Sequence, residues 1–419
     1  MLRSRAGEDG FICHRFQPDT GTTTAGADRS RIDDRAGPPS ADARSVDEDV
    51  VAAVLRTAQA VLRDRVAQAE SIDSVFSRDI AERVADFTLE GGKRMRPQFL
   101  WWGMRACGGG RSTDIDAALR LGVAVELIQT CALVHDDVMD ASPLRRGRPA
   151  VHVDFASRPG PAPHSVLGDS FGTAAAVLVG DLALAWADDT VAETAMAPAT
   201  RQRVRGVWRV MRSEMVAGQY LDLHGQASGS RSAARAIRTA YLKSALYSVV
   251  RPLTLGAALA GAGECTTRAL ASAGRCAGLA FQLRDDLLGV FGDPTVTGKP
   301  SGGDVQEGKP TYLMAVARSR AGAGEGGGAA RAVLDAAVGR ADLSDEALAE
   351  VRDVLVATGA RAEVEDRADR LMQHAARHLA GAAVQPDARH RLLALLRSVG
   401  GTRSTPPRSA TAVPPADAP

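Results

Sequence analysis

The chain has 419 residues, a formal net charge of +1 and only 4% aromatic residues. That balance supplies no overall field for nucleic acid or an anionic membrane, and too few aromatics for a base-stacking surface. Five cysteines (Cys13, Cys107, Cys131, Cys265, Cys276) are odd in number, widely spaced and without a C-x-x-C pair. They exclude a disulfide framework and predict free thiols in a reducing compartment.

Residues 1–44 are rich in Gly, Ser, Thr, Asp, Arg and Pro without apolar periodicity, and read as a disordered extension. The folded body is expected over 45–400, and 401–419, with five prolines, as a disordered tail. Ser45 followed by Glu48 has the form of a capping box, and Val51, Val54, Leu55, Ala58, Val61 and Leu62 then repeat at helical spacing. Further helices are predicted over 70–89, 96–107, 114–140, 168–195, 199–224, 232–248, 250–261, 265–290, 310–319, 328–339, 343–358, 360–381 and 387–399. Ala, Leu, Arg and Glu dominate them and β-branched alternation is nearly absent, so the fold class expected is all-α. No run of eighteen uninterrupted apolar residues occurs; Arg120, Glu126 and Asp181 break the most apolar segments. The N-terminus has no apolar signal region. These features predict a chain without a membrane span, in the cytoplasm. The Gly322–Gly328 stretch follows no strand and precedes no Gly-Lys-Ser/Thr, so it reads as a surface loop rather than a phosphate cradle.

Two acidic clusters about 145 residues apart carry the chemistry, Asp136-Asp137-Val138-Met139-Asp140 and Asp285-Asp286. Each closes an apolar helical run. Asp136 and Asp140 are four apart and project from one helix face, where like charges repel by a few tenths of a kcal/mol. A cation would relieve that repulsion, and hard carboxylate oxygens favour Mg²⁺ over zinc. His135, the one softer group nearby, points away from that face. Mg²⁺ held by few carboxylates completes its shell with water and substrate phosphate. Basic residues follow the same logic: Lys93 and Arg96 in Gly91–Pro97, Arg145 and Arg146 in Ser142–Pro149, Lys243 beside Ser244, and Lys299 and Lys309 in the Gly-Pro turns after the second cluster. Singly, each cluster is as well explained by a solvated turn or a surface ion-pair network.

In this order the motifs resemble the trans-type polyprenyl diphosphate synthases. They stand as GGKRMRP at 91–97, DDVMD with RRGRP at 136–149, GD at 180–181, GQYLD at 218–222, YLKSALYS at 241–248, FQLRDD at 281–286 and GKP…EGKPT at 298–311. The resemblance covers residues 50–399. It implies a helical bundle with a central active-site cavity, Mg²⁺ at two to three ions per site, isopentenyl diphosphate and an allylic diphosphate as substrates, and a homodimer. By the same resemblance Lys93, Arg96, Gln129 and Arg146 match contacts of isopentenyl diphosphate. Arg145, Lys243, Lys299 and Lys309 match those of the allylic diphosphate. Asp136, Asp140 and Asp285 match metal ligands, with Asp137 and Asp286 in the metal set as supporting carboxylates. Gln282 and Ser244 would stabilise the carbocation, Ser244 standing where Thr is commoner.

The second motif departs from the family pattern: Gly289 stands where many members carry a third Asp, and Gly303 before Asp304 where an acid is frequent. Small Cys131 and Ala132, five and four residues before Asp136, leave room below the first motif. Each isoprene unit needs ~5 Å, about one helical turn. Ile128 and Leu127 form the next floor, so the product expected is C20, geranylgeranyl diphosphate, with C15 or longer chains as the alternatives. A terpene cyclase would need neither GGKRMRP nor Gln129. A non-catalytic partner subunit would be expected to have lost Asp, Lys or Arg positions that this chain keeps.

Overall fold

The computed structural model describes residues 41–157, 170–293, 301–322, 327–340 and 342–400. Lys299, residues 1–40, the 401–419 tail and 323–326 of the Gly-rich stretch lie outside the described residues.

The described chain is helical almost throughout. It opens with α1 (Ala41–Glu48) and α2 (Val50–Glu70). The helix break falls at Asp49, whose carboxylate accepts from the Ala52 N–H at 2.8 Å. The capping box expected at Ser45 and Glu48 does not form, because both residues lie within α1. Asp49 caps better from this position, since its short carboxylate reaches the orphan N–H groups of α2. The next helix, α3, runs from Ser74–Phe76 through a π-helical turn, Ser77–Ala81, into Glu82–Leu89.

The bundle is organised around α4 (Met95–Ala106) and α5 (Ser112–Met139). Phe99, Leu100, Trp101 and Met104 of α4 pack in one core with Leu121, Leu127 and Ile128 of α5. A two-strand hairpin, β1 (Leu144–Arg145) and β2 (Arg148–Pro149), leads into α6 (Val151–Ala156). Next come α7 (Phe171–Glu193) and α8 (Pro198–Ala227). The ninth helix, α9, is α-helical over Ala233–Ala240, π-helical over Tyr241–Val250 and α-helical again over Arg251–Leu259. It meets α10 (Glu264–Phe291) on one side and α8 on another. The remainder comprises α11 (Gly303–Gln306), α12 (Tyr312–Ala321), α13 (Gly327–Ala337), α14 (Asp345–Ala357), α15 (Ala360–Ala380) and α16 (Pro386–Gly400). A second apolar cluster, with Leu283, Val305, Leu313, Leu334, Val351 and Val364 among its members, joins α10 to these C-terminal helices.

Two glycines set how closely the site-bearing helices approach. A Cβ on Gly218 of α8 would lie 2.4 Å from the Lys243 backbone N, and one on Gly278 of α10 would lie 2.7 Å from Ala245 Cα. Both contacts are too short for any side chain, so α9 is clamped between α8 and α10 at the level of Lys243 and Ser244. Helices α5 and α7 are long and apolar enough to cross a membrane by length and composition. In this bundle α5 is the buried core helix, with Leu121, Val123, Val125, Leu127 and Ile128 fully enclosed.

Candidate active site

The end of α5 presents the first acidic cluster in three different settings. Asp136 accepts from Lys243 Nζ at 3.0 Å and from Gln219 Nε2 at 2.8 Å. Burial alone would raise its carboxyl, but Lys243 and Gln219 overcome that and hold it below the ordinary carboxylate value. Asp140 sits one turn on, at the C-cap. Its side chain is 5% exposed and 3.5 Å from Lys309 Nζ, and its Oδ1 finds no hydrogen-bond partner among the described residues. Burial and the nearby Asp136 charge raise its carboxyl. Asp137, included in the expected metal set, turns inward instead. It is 1% exposed, and its two oxygens accept from Arg145 Nε at 2.9 and 3.1 Å. Adjacent residues on a helix project about 100° apart, so Asp137 cannot share the face of Asp136 and Asp140.

The hairpin explains Arg145 and Arg146. Arg146 and Gly147 have φ of 53° and 75°, as a two-residue turn of the primed type requires at both central positions. The turn folds Arg145 back over the acidic cluster, where it also lies 3.7 Å from Asp136. Arg146 is carried to the loop after α3. There it donates to the carbonyls of Phe87 and Glu90, stacks at 5.1 Å over the Phe87 ring and packs on Gly91 and Gly92.

In that same loop Lys93 is exposed, while Arg94 is buried and ion-paired to Glu126 of α5. Arg94 also donates to Leu89 O at 2.7 Å, so one guanidinium ties the turn to the end of α3 and to α5. Both members of the pair are under one-tenth exposed. Glu126→Ala would leave a buried guanidinium uncompensated, and we expect a stability loss of about 3–5 kcal/mol in a denaturant titration. Glu126→Leu combined with Arg94→Met should recover most of it. Arg96 donates to Ser248 Oγ at 2.8 Å and stacks at 4.5 Å over the Tyr247 ring. Three buried polar atoms in this quarter, Arg96 Nε, Gln129 Oε1 and Tyr247 Oη, have no partner among the described residues. Buried polar groups are nearly always satisfied, so three together mark a place for a polar ligand or water.

The second acidic cluster closes the site from α10. Asp285 is exposed and Asp286 buried. Gln282 Nε2 donates to Asp286 at 2.8 Å while its Oε1 accepts from Ser244 Oγ, so α9 and α10 share one polar chain. Burial, and next the charge of Asp304, push the Asp286 carboxyl well above its usual range. Lys243 is held between α8 and α5, 2.7 Å from Asp222 and 3.0 Å from Asp136. Burial would lower its ammonium, but Asp222 and Asp136 keep it above the ordinary lysine value. Lys309 reaches Glu307 at 2.5 Å, Asp140 at 3.5 Å and Asp304 at 3.8 Å. The ends of α5, α8 and α10 and the turn before α12 therefore converge on one mixed-charge centre.

A family model described as polyprenyl synthetase matches residues 78–354, about two-thirds of the chain. The chain belongs to the polyprenyl synthetase family. Among its relatives is the geranylfarnesyl diphosphate synthase of Aeropyrum pernix, 31% identical over 282 residues, or 66% of this chain and 80% of that protein. The (2E,6E)-farnesyl diphosphate synthase of Mycobacterium tuberculosis is 32% identical over 270 residues, covering 64% and 68% of the two chains. In structure the chain resembles a geranylgeranyl pyrophosphate synthase from Corynebacterium glutamicum, described as complexed with isoprenyl diphosphate and magnesium. The TM-score is 0.77 at 35% identity, over 83% of this chain and 98% of that one. The protein is thus a prenyltransferase with the all-α fold expected.

Within this polyprenyl synthetase, sequence reasoning left several site residues without a role. Asp222 and Gln219 lie in the quoted GQYLD motif, three apart on α8; that i, i+3 spacing was the available signal for a shared face. Tyr247 and Ser248 lie in YLKSALYS, but nothing local marks them as partners of Arg96, more than 150 residues earlier. His135 points to α7, as expected: its Nε2 lies 3.1 Å from Val177 O and 3.8 Å from Asp181 Oδ1.

Proposed function

We propose that this polyprenyl synthetase is Mg²⁺-dependent, condenses isopentenyl diphosphate with an allylic diphosphate, and releases geranylgeranyl diphosphate. The observation that carries this reading is the shared lysine pair. Lys243 bridges Asp136 and Asp222, and Lys309 bridges Asp140 to Asp304 against the second acidic helix. That alternation of carboxylate and ammonium suits a metal–diphosphate, with metal on the oxygens and ammonium on the phosphate.

The donor set fits Mg²⁺. Asp136, Asp140 and Asp285 offer hard oxygens, and Asp140 Oδ1 is buried without a partner. Among the described residues no three acid, thiol or imidazole groups form a ready-made metal site. The reading takes two or three ions per site, each completing its shell with water and substrate. When bound, Mg²⁺ would stabilise charge on the diphosphate as the allylic C–O bond breaks.

The chain's own groups do the rest. Arg145, Lys243, Lys299 and Lys309 hold the allylic diphosphate and take up charge on the leaving oxygens. Lys93, Arg96, Gln129 and Arg146 hold the diphosphate of the second substrate. Arg146 would release its loop carbonyls to do so. The Gln282 and Ser244 oxygens face the allylic cation with their lone pairs. The isopentenyl double bond attacks that cation, one C–C bond forms, and a proton leaves to the departed diphosphate. No protein nucleophile is needed; exclusion of water is, because water would quench the cation. Asp286 and Asp137 support Gln282 and Arg145 respectively.

Small Ala132 and Cys131 below Asp136 favour C20, within the range spanned by the relatives' names. We place the enzyme in the cytoplasm as a homodimer; the exposed Phe171, Val177 and Leu178 of α7 offer an apolar face for a second copy. Incubation with labelled isopentenyl diphosphate, Mg²⁺ and C5, C10 or C15 starters tests the reading. It predicts C20 from each starter. A C15 or C25 end point would move the product, and cyclic hydrocarbon from an allylic diphosphate alone would replace the function with that of a cyclase.

A further inference from the structure

Away from the acidic centre, arginines from three elements close on one carboxylate. Arg231 lies in the turn between α8 and α9, Arg318 on α12, and Arg331 and Asp335 on α13. Arg231 Nη2 and Arg318 Nη2 both reach Asp335 Oδ1, at 3.2 and 3.3 Å, and Arg331 Nε lies 3.7 Å from Oδ2. Among the described residues Asp335 is the one carboxylate that pairs with any of the three. The charge is therefore unbalanced, three guanidiniums to one carboxylate. A surface network solvates such spare charge. Arg318 is not free to do so: its side chain is 15% exposed, and its buried Nε has no hydrogen-bond partner among the described residues. Burial, and next the Arg231 charge, push its guanidinium below the ordinary arginine value, and Asp335 only partly opposes them. Ala236 and Ile237 of α9, Val316 and Ala317 of α12, and Leu334 and Ala337 of α13 are buried in one apolar cluster, which fixes the three elements relative to one another.

We propose that Arg231, Arg318 and Arg331 form a binding site for a phosphate-type oxyanion, separate from the acidic centre, with Asp335 as its resident competitor. A guanidinium presents its N–H donors in a planar fork that matches phosphate oxygens two at a time. Arg231 and Arg331 are half-exposed and open the cluster to solvent, while Arg318 is its buried member. A dianion would offset the positive charge that one carboxylate leaves, and would supply acceptors that the cluster lacks. Free phosphate, free diphosphate and a phosphomonoester lipid headgroup all carry that chemistry. The inference does not rest on the metal–diphosphate reading, because none of these four residues pairs with Lys243, Lys309 or the carboxylates that those lysines bridge.

The test has two binding arms. In the first, inorganic phosphate and diphosphate are titrated separately into the full chain by calorimetry, with EDTA and at low ionic strength, where such contacts are least screened. In the second, the chain is floated with phosphatidic acid vesicles, against phosphatidylcholine. Circular dichroism melts check that each variant folds. Arg231→Gln and Arg331→Gln, at half-exposed positions, should each weaken one site by about 10-fold or more. Arg318→Lys, which keeps the charge and loses the fork, should weaken it too. Asp335→Asn should instead tighten that site by about 5- to 10-fold, because a like charge at contact distance is gone. A purely structural ion pair predicts the reverse emphasis: Asp335→Asn would lower the melting temperature and leave anion affinity alone. Vesicle capture that Arg231→Gln abolishes assigns the site to a lipid headgroup, and free-anion binding without capture assigns it to soluble phosphate. A folded Arg231→Gln or Asp335→Asn protein that matches the wild type in both arms would overturn the inference. So would a fall in prenyl transfer by Arg231→Gln in phosphate-free buffer, because it would place these residues in the catalytic centre.

Discussion

Asp136→Ala should lower turnover by at least ~10²–10³-fold, the scale of losing one electrostatic contact to the charge that develops in the transition state. The fold should survive. Asp136 is at the end of α5, and Lys243 keeps its second partner, Asp222, at 2.7 Å. Asp136→Asn sharpens the test, because the amide can still receive Gln219 and Lys243 but carries no charge for a metal; it should be nearly as inactive as alanine. The neighbouring Asp137→Asn makes the opposite case. That carboxylate is 1% exposed and spent on Arg145, so its loss should appear first as lowered stability and a misplaced Arg145. Turnover near the wild-type level in Asp136→Asn would remove Asp136 from the metal set.

Ala132→Phe should shorten the main product by one isoprene unit, from C20 to C15. Ala132 is four residues before Asp136 and three after Gln129, so all three share one face of α5. A growing chain anchored by its diphosphate at Asp136 must run along that face toward Ala132. A phenyl ring there fills about the depth of one helical turn, which is the room one C5 unit occupies. Cys131 is less suited to be the floor: it is buried, and its Sγ lies 3.7 Å from His135 Nδ1, on the side facing α7. Burial and the charge of Asp181 push its thiol up to about 12. Cys131 should therefore resist iodoacetamide at pH 8 in the folded protein and react after denaturation, as mass spectrometry would show. An unchanged C20 product from Ala132→Phe would place the floor elsewhere on the bundle.

The helices were legible because their signal is local. Val54, Val61 and Leu62 of α2, or Leu348, Val351 and Leu355 of α14, repeat at the helical period and are buried where that period places them. The family and its chemistry were legible because charged clusters recur in a fixed order. What the pattern could not carry was contact across sequence. The π-helical segment over Tyr241–Val250 has the same apolar period as an α-helix at this length, so nothing in it announces the shift that groups Lys243, Ser244 and Tyr247. Such insertions are common at functional sites. The hairpin at Leu144–Pro149 is two residues per strand, too short for alternation to register. Its Arg146-Gly147 turn, rather than any strand pattern, was the available sign. The resemblance gives Asp137 a supporting place in the metal set, and helix geometry and Arg145 turn it away from the face of Asp136 and Asp140.

The most direct measurement is prenyl transfer by the unaltered protein with and without divalent metal. Given isopentenyl diphosphate, an allylic diphosphate and Mg²⁺, the account predicts an all-trans polyprenyl diphosphate and one inorganic diphosphate per C5 unit added. It also predicts loss of both after EDTA and their return when Mg²⁺ is restored. Condensation that persists in metal-free protein would contradict it.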